Sequence, residues 1–142
     1  MQLRRYSGVI DVEGEIYTAI AEELRARYPD ISVLGELVLS PSKFPCVCIE
    51  EFDNYSFRQS RTNDSNENHA VVMYEVNVFT NRTSGKKSEC KKIFGTVDRV
   101  MNTVGFTRLA ALPITLDEGT KYRLVGRYTA IVSTNSIIYR RN

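Results

Sequence analysis

The residues best suited to metal binding or nucleophilic chemistry are three cysteines and one histidine. Cys46 and Cys48 are two positions apart in an apolar stretch, so they would share one face of a strand, and Cys90 falls on the apolar stripe of a predicted helix. A structural zinc site needs about four Cys or His ligands, and His69 is the only histidine. We therefore expect reduced, buried cysteines that act as small apolar residues, with no metal and no cofactor.

Two other patterns approach those of enzymes without matching them. Residues 83–87 contain the Gly-Lys pair of a phosphate-binding loop, but they lack its earlier glycine and the hydroxyl residue after the lysine. Glu50 and Glu51 offer carboxylates at the end of a predicted strand, but no lysine follows where a metal-dependent nuclease needs one. We interpret Glu50 and Glu51 as solvent-exposed residues at a strand end and predict that the chain is not an enzyme, with a nuclease as an alternative.

Length and composition indicate one globular domain spanning residues 1–142. Of the 142 residues, 42% are hydrophobic and 25% are charged, which is ordinary for a folded domain. No apolar run is long enough to span a membrane. Asp11, Glu13 and Glu15 fall where the apolar segment of a signal peptide would lie, so we expect neither a signal peptide nor a membrane partner.

The charges are divided unevenly along the chain. Residues 1–71 carry 7 Lys/Arg against 12 Asp/Glu, whereas residues 72–142 carry 12 against 5. This pattern is compatible with a basic nucleic-acid face, with two complementary surfaces on a self-associating protein, or simply with two solvated faces. Our hypothesis is that a basic surface of one copy meets an acidic surface of another.

Apolar periodicity predicts the elements of the N-terminal half. Residues 14–28 repeat apolar side chains at helical spacing, and Pro29 ends the helix. Strands are predicted over 32–39 and 46–52, the second continuing to about residue 58. Residues 53–69 are polar and long for a connection, so they are either a functional excursion or disordered, and we interpret them as the tip of an extended β-hairpin.

The C-terminal half predicts a return strand, a second helix and a β-meander. The return strand covers 70–80, and the helix covers about 86–104 and ends at Gly105 and Phe106 with a left-handed cap. The meander consists of strands at 107–115, 121–133 and 136–140. The predicted fold class is α+β: a mainly antiparallel sheet with two helices packed on one face and a long β-hairpin.

Basic residues leave a nucleic-acid-binding module open as an alternative of a different class. A surface that follows phosphates needs clustered Lys and Arg side chains, and aromatic rings beside them would stack on single strands. The second helix and the polar segment supply Lys86, Lys87, Lys91, Lys92, Arg99, Arg58 and Arg61.

The order of these elements resembles a known family. A Phe44-Pro45 step leads into a buried strand, and a polar hairpin tip and a return strand follow. The second helix ends at Gly105-Phe106, and a strand near the C-terminus carries Arg127-Tyr128. Over nearly the whole chain this layout resembles the tail terminator proteins of long-tailed bacteriophages and, more loosely, the neighbouring head–tail joining proteins.

The resemblance implies a structural virion protein. Family members form a ring, typically a hexamer, that caps the tail tube and presents a surface to the head–tail connector protein. Double-stranded DNA passes through the ring without sequence-specific binding. The implied location is the head-proximal end of the virion tail, and the host cytoplasm during assembly. Another connector or tail-completion protein is the alternative within this class.

The family supplies no catalytic residues, so the interface residues are inferred from charge and exposed polar loops. The hairpin tip would contact a neighbouring subunit or the tail tube, and the two helices would supply complementary charges. Strand 121–133, with unpaired edges, could instead complete a sheet across the ring. The candidate interface residues are Tyr55, Arg58, Arg61, Asn63, Asp64, Glu22, Glu23, Lys87 and Lys91.

Overall fold

A computed structural model describes the backbone of residues 4–6, 9–56, 69–116, 119–133 and 138–139, and all of these side chains except those of 4–6 and 138–139. The helices are α1 (Glu13–Arg27) and α2 (Lys86–Thr103). The strands are β1 (Arg4–Tyr6), β2 (Val9–Asp11), β3 (Ser32–Leu34), β4 (Cys46–Ser56), β5 (His69–Thr80), β6 (Thr107–Ile114), β7 (Tyr122–Ser133) and β8 (Ile138–Tyr139).

The main sheet has the strand order β3-β4-β5-β7-β6, and β8 also pairs with β7. All of its pairings are antiparallel except that of β3 with β4, which is parallel. Both helices pack on one face of this sheet. The predicted α+β class is therefore confirmed. The sequence analysis missed the short N-terminal hairpin of β1 and β2, which forms a separate sheet.

The strand predicted at 121–133 is β7, but its edges are occupied. One edge pairs with β5 along its whole length, and the other pairs with β6 and then with β8. The prediction of a simple meander, and of a free edge on this strand, is therefore wrong. Its buried residues Leu124, Val125 and Tyr128 suit an interior strand. Among the described residues, the free edge on this side of the sheet belongs to β6.

The strand predicted at 32–39 ends early, at Leu34. The chain bends at Gly35, and the backbone amide of Leu37 donates to the Glu50 carboxylate at 3.0 Å instead of to a neighbouring strand. Leu37 and Val38 then pack on a small apolar cluster formed by Cys46, Cys48 and Phe79. Their hydrophobicity thus reflects packing on the sheet face away from the helices.

Helix α1 begins and ends within one residue of its predicted bounds. The Asp11 side chain accepts the Glu13 backbone amide at 3.1 Å, which satisfies a donor at the free N-terminal end of the helix. Ile16, Ile20 and Leu24 are fully buried against the sheet, as their spacing predicts.

Helix α2 ends with the predicted left-handed cap. Gly105 has φ 101°, a conformation that glycine adopts without a steric penalty. The Gly105 amide donates to the Asn102 carbonyl at 3.1 Å, and the Phe106 amide donates to the Met101 carbonyl at 2.9 Å. Phe106 then packs edge-on against Tyr74, with ring centroids 5.3 Å apart. The cap therefore directs β6 back onto the sheet.

The two helices lie side by side and antiparallel over the sheet. The Tyr28 hydroxyl, just beyond α1, lies 3.2 Å from the Thr96 hydroxyl of α2. Further back along α1, Glu23 contacts Arg99 of α2 at 3.5 Å. Helix α1 packs on β4, whereas α2 packs on β5, β7 and β6. Each half of the sequence therefore occupies its own side of the sheet.

Candidate interaction surfaces

Cys46 and Cys90 occupy positions with low reactivity, whereas the hydrogen bond from Cys46 lowers the pKa of Cys48 to about 7. The Sγ atoms of Cys46 and Cys48 are 4.0 Å apart on one face of β4, and both residues are fully buried. The hydrogen bond to Cys48 and burial raise the pKa of Cys46. Cys90 donates to the Val78 carbonyl at 3.3 Å, and burial raises its pKa to about 11. Cys46 and Cys90 therefore favour the thiol over the thiolate that nucleophilic chemistry requires.

Glu50 and Glu51 are half-buried in the middle of β4 rather than solvent-exposed at a strand end, which corrects the prediction for both residues. Glu51 has the more extensive contacts. Its carboxylate accepts the Tyr74 hydroxyl at 3.0 Å and the Asn54 amide at 3.4 Å. Its backbone amide donates to the Glu13 carboxylate at 2.8 Å. Burial raises the pKa of Glu51. These bonds join the start of α1 to β4, so the carboxylates have a structural role.

No metal centre is visible in the part of the chain that the structure describes. No group of three or more His, Cys, Asp or Glu residues there could hold a metal ion. Glu50, the second carboxylate of the nuclease-like pattern, accepts the Leu37 amide.

The candidate residues on the helices are accessible, but one of them is already paired. Lys87, Lys91 and Glu22 are exposed. Glu23 accepts Arg27 at 2.6 Å and lies 3.5 Å from Arg99, and the hydrogen bond from Arg27 lowers its pKa. A shallow groove of about 380 Å³ between the helices includes Glu22, Glu23 and Arg99 in its lining. The lysines lie outside this groove, toward the N-terminal end of α2.

The predicted hairpin tip is described only at its base. Strands β4 and β5 form a hairpin that is paired from Cys46 and Phe79 out to Ser56 and Ala70, with a bulge at Phe52. Tyr55 lies near the end of β4 and is 52% exposed. The other candidates in this segment lie outside the described residues: Arg58, Arg61, Asn63 and Asp64.

Two exposed apolar patches were not predicted from the sequence. The β4 patch consists of Phe52, 43% exposed, and Tyr55. The β6 patch consists of Leu109, Leu112 and Ile114, which are 52%, 47% and 37% exposed. The two patches are separated by β5 and β7, about 14 Å at the usual strand spacing. Exposed apolar clusters of this kind are typical of interaction surfaces.

Strand β6 forms an uncovered edge. None of its eight residues is buried, and no strand among the described residues pairs with its outer side. Pro113 is a sequence signal that β6 lies at the edge of the sheet. Because proline cannot donate to a strand ladder, it is confined mainly to edge strands and bulges. That proline, within a run of leucine and alanine, could have identified β6 as the edge.

The opposite side of the sheet is protected. Strand β3 pairs with β4 only over Cys46, Val47 and Cys48. Beyond that point, the Glu51 amide is bound by Glu13 and the Asn54 amide by Asp53 at 2.9 Å. Side chains thus occupy hydrogen-bonding groups that a further strand would need. A shallow depression of about 270 Å³ lies here, lined by Glu13, Gly14, Tyr17, Gly35 and Ile49.

The two sides of the sheet carry opposite charges. Every charged residue of β3 and β4 is acidic: Glu50, Glu51 and Asp53. Every charged residue of β6 and β7 is an arginine: Arg108, Arg123 and Arg127. The asymmetry between the halves of the sequence therefore becomes an asymmetry across the sheet.

Two of these arginines also make ion pairs within the chain. Arg127 lies 3.1 Å from Glu75 and over the Phe52 ring at 5.4 Å. Arg108 lies 3.3 Å from Asp98, which also accepts the Tyr128 hydroxyl. Both arginine side chains remain 49% exposed, so they are still available to a partner.

Comparisons with known proteins do not assign the chain to a family. No protein-family model matches it, and a search of curated proteins finds no significant match. In the described residues, no helix has the length and apolar character that crossing a bilayer requires.

Proposed function

We propose that this protein is a structural subunit of a phage virion, a tail terminator that forms a ring at the head-proximal end of the tail. Its partners are then further copies of itself, the tail tube protein and the head–tail connector protein. Double-stranded DNA passes through the ring without sequence-specific contacts. The order of elements that resembles this family supports the proposal, together with a surface suited to self-association.

The single observation that carries the proposal is the charge division across the sheet. Strands β3 and β4 carry only acidic charges, and β6 and β7 carry only arginines. The acidic side of one copy is therefore attracted to the arginine side of another. Where each copy uses its acidic side for one neighbour and its arginine side for another, the contact repeats from copy to copy and produces either a closed ring or a filament.

The reactive side chains are buried or hydrogen-bonded within the fold, which also favours a structural role over a catalytic one. Cys46 and Cys90 are buried thiols, and Glu50 and Glu51 bind backbone and hydroxyl groups of the fold itself. General acid–base catalysis needs groups that reach a substrate, and these side chains already make contacts within the fold.

One observation favours a nucleic-acid-binding module as the second candidate. Lys87, Lys91 and Lys92 are exposed on α2, with Arg99 further along the same helix. A row of cations of this kind can neutralise phosphates, and the resulting affinity would fall steeply with salt. Exposed Lys side chains suit an acidic protein surface equally well, so the two functions require a direct test.

The proposed function is tested by the native mass of the purified protein in the absence of DNA. Light scattering on a sizing column at low and moderate salt should show an assembly of about six chains of 16.2 kDa that weakens as salt rises. A titration with duplex DNA distinguishes the second candidate. A monomer that binds DNA would contradict the terminator and support the module, and a DNA-independent ring would do the reverse. Magnesium-dependent cleavage of the DNA would instead indicate the nuclease.

A further inference from the structure

The exposed apolar side chains of the described residues are concentrated on the two sides of the sheet. Among the described residues, six large apolar side chains are exposed, and five of them form the β4 patch and the β6 patch. The sixth, Leu39, lies in the loop after β3. Leu112 and Ile114 pair with Val125 and Arg123, so they point to the sheet face opposite the helices. Tyr55 points to the same face, because it pairs with Val71.

The two patches differ in their backbone. Strand β6 has no buried residue, and none of the strands that the structure describes pairs with its outer edge, so it can enter a contact with both its side chains and its peptide groups. Beside the β4 patch, Glu13 and Asp53 already bind the amides of Glu51 and Asn54. These caps discourage two copies from pairing through β4 on both sides.

The surroundings of the patches are electrostatically complementary. The β6 patch lies beside Arg123, which pairs with Ile114 in the sheet, whereas Arg108 of the same strand pairs with Tyr128 and points to the helix face. The β4 patch lies beside Glu50 and Asp53. Two β6 patches brought together would place arginines against arginines. The contact of β6 with β4 places opposite charges together, so the pairing of unlike patches is favoured.

We propose that the β6 patch of one copy docks on the β4 patch of a second copy, so that the chain associates head to tail through the two sides of its sheet. The apolar side chains supply the buried centre of this contact, and the arginines and carboxylates form its charged rim. This inference deepens the proposed function, on whose self-association it rests, by naming the surfaces that join the copies.

The proposal is tested with two variants that each disable one patch. The first is Leu112→Ser with Ile114→Ser on β6, and the second is Phe52→Ser with Tyr55→Ser on β4. All four side chains are exposed, so circular dichroism and thermal unfolding should show folded proteins. Leu39→Ser is the matched control, because it removes an exposed leucine that lies outside both patches.

Each double variant alone should run as a monomer under conditions in which the wild type and Leu39→Ser assemble. The equimolar mixture should form a heterodimer and nothing larger, because each variant keeps one intact patch and the two intact patches fit each other. Multi-angle light scattering reads the mass of each species directly.

Two results would overturn the proposal: assembly of either double variant as in the wild type, or no complex in the mixture. A wild type that stays monomeric at its highest soluble concentration would also overturn the docking of the two patches. The proposed function would then be tested separately, by measuring ring formation on a tail tube. Conversely, heterodimers from the mixture and open filaments from the wild type would support head-to-tail docking and contradict the terminator.

Discussion

At the residue scale, Gly126 allows α2 to pack closely on β7. A Cβ atom at this position would lie 2.6 Å and 2.8 Å from two carbons of the Phe94 ring, well inside contact distance. We predict that Gly126→Ala lowers the free energy of unfolding by about 1–3 kcal/mol through overpacking. Gly95→Ala is the control, because a Cβ atom there has open space within a helix. This substitution should raise the free energy of unfolding by about 0.5–1 kcal/mol. Urea unfolding of both variants measures the two changes in stability. Equal changes in the two variants would contradict the close contact at Gly126.

Glu51 should make stability depend on pH. Burial raises its pKa from the ordinary value of 4.5, so the folded protein holds this proton at pH values where the unfolded chain has lost it. The contribution of Glu51 to stability therefore falls as pH rises from that ordinary value through the raised one. We predict that Glu51→Gln gains stability relative to the wild type across this range, since its amide oxygen can still accept the Tyr74 hydroxyl.

The measurement for Glu51 is urea unfolding at a series of pH values from about 4 to about 8. Glu22→Gln, at an exposed position on α1, serves as the control for the substitution itself. A constant difference between wild type and Glu51→Gln over the whole series would contradict the assignment.

The sequence predicted the cysteine environments but not that of Glu51. Apolar neighbours on both sides of Cys46 and Cys48 were sufficient to indicate burial. The partial burial of Glu51 depends on Tyr74 and Glu13, which are distant in sequence and meet it only after the sheet has formed. Likewise, the close approach of Phe94 to Gly126 is a tertiary contact that has no local signal.

At the scale of elements, α2 presents Lys87 and Lys91 on its exposed face, on the basic side of the molecule. We predict that Lys87→Glu combined with Lys91→Glu weakens assembly at low salt, because it reverses charges that would face the acidic side of the next copy. Lys92→Glu, on the same helix but rotated around it, should weaken assembly less. Sedimentation velocity at low salt compares the variants. Unchanged assembly of the double variant would contradict a role for α2 in the contact.

The long elements could be predicted from the sequence, whereas the short strand β3 and the order in which strands pair could not. Both helices and strands β4, β5 and β7 carry enough periodic apolar residues to define their bounds. Strand β3 was predicted too long because Leu37 and Val38 are apolar for packing on Phe79, not for pairing. The insertion of β7 between β5 and β6 depends on long-range pairing, so the free edge was assigned to the wrong strand.

At the scale of the whole molecule, the charge difference between the halves of the sequence reappears in the sheet, where β4 carries only acidic charges and β6 and β7 carry only arginines. The position of these charges could be established only from the fold, because it depends on α1 lying over β4 and α2 over the remaining strands. Of the candidate interface residues, Tyr55 belongs to the β4 patch, and Lys87, Lys91 and Glu22 are exposed. Glu23 is already paired within the chain. The β6 patch was missed because its apolar residues also suit a buried strand.

Electron microscopy of the purified protein at low salt, without DNA, shows directly whether the chain forms a ring. We predict closed rings with a central opening wide enough for duplex DNA, built from copies joined side to side, and their loss in Leu112→Ser with Ile114→Ser. Isolated monomers, open filaments or twofold dimers in place of rings would contradict this prediction.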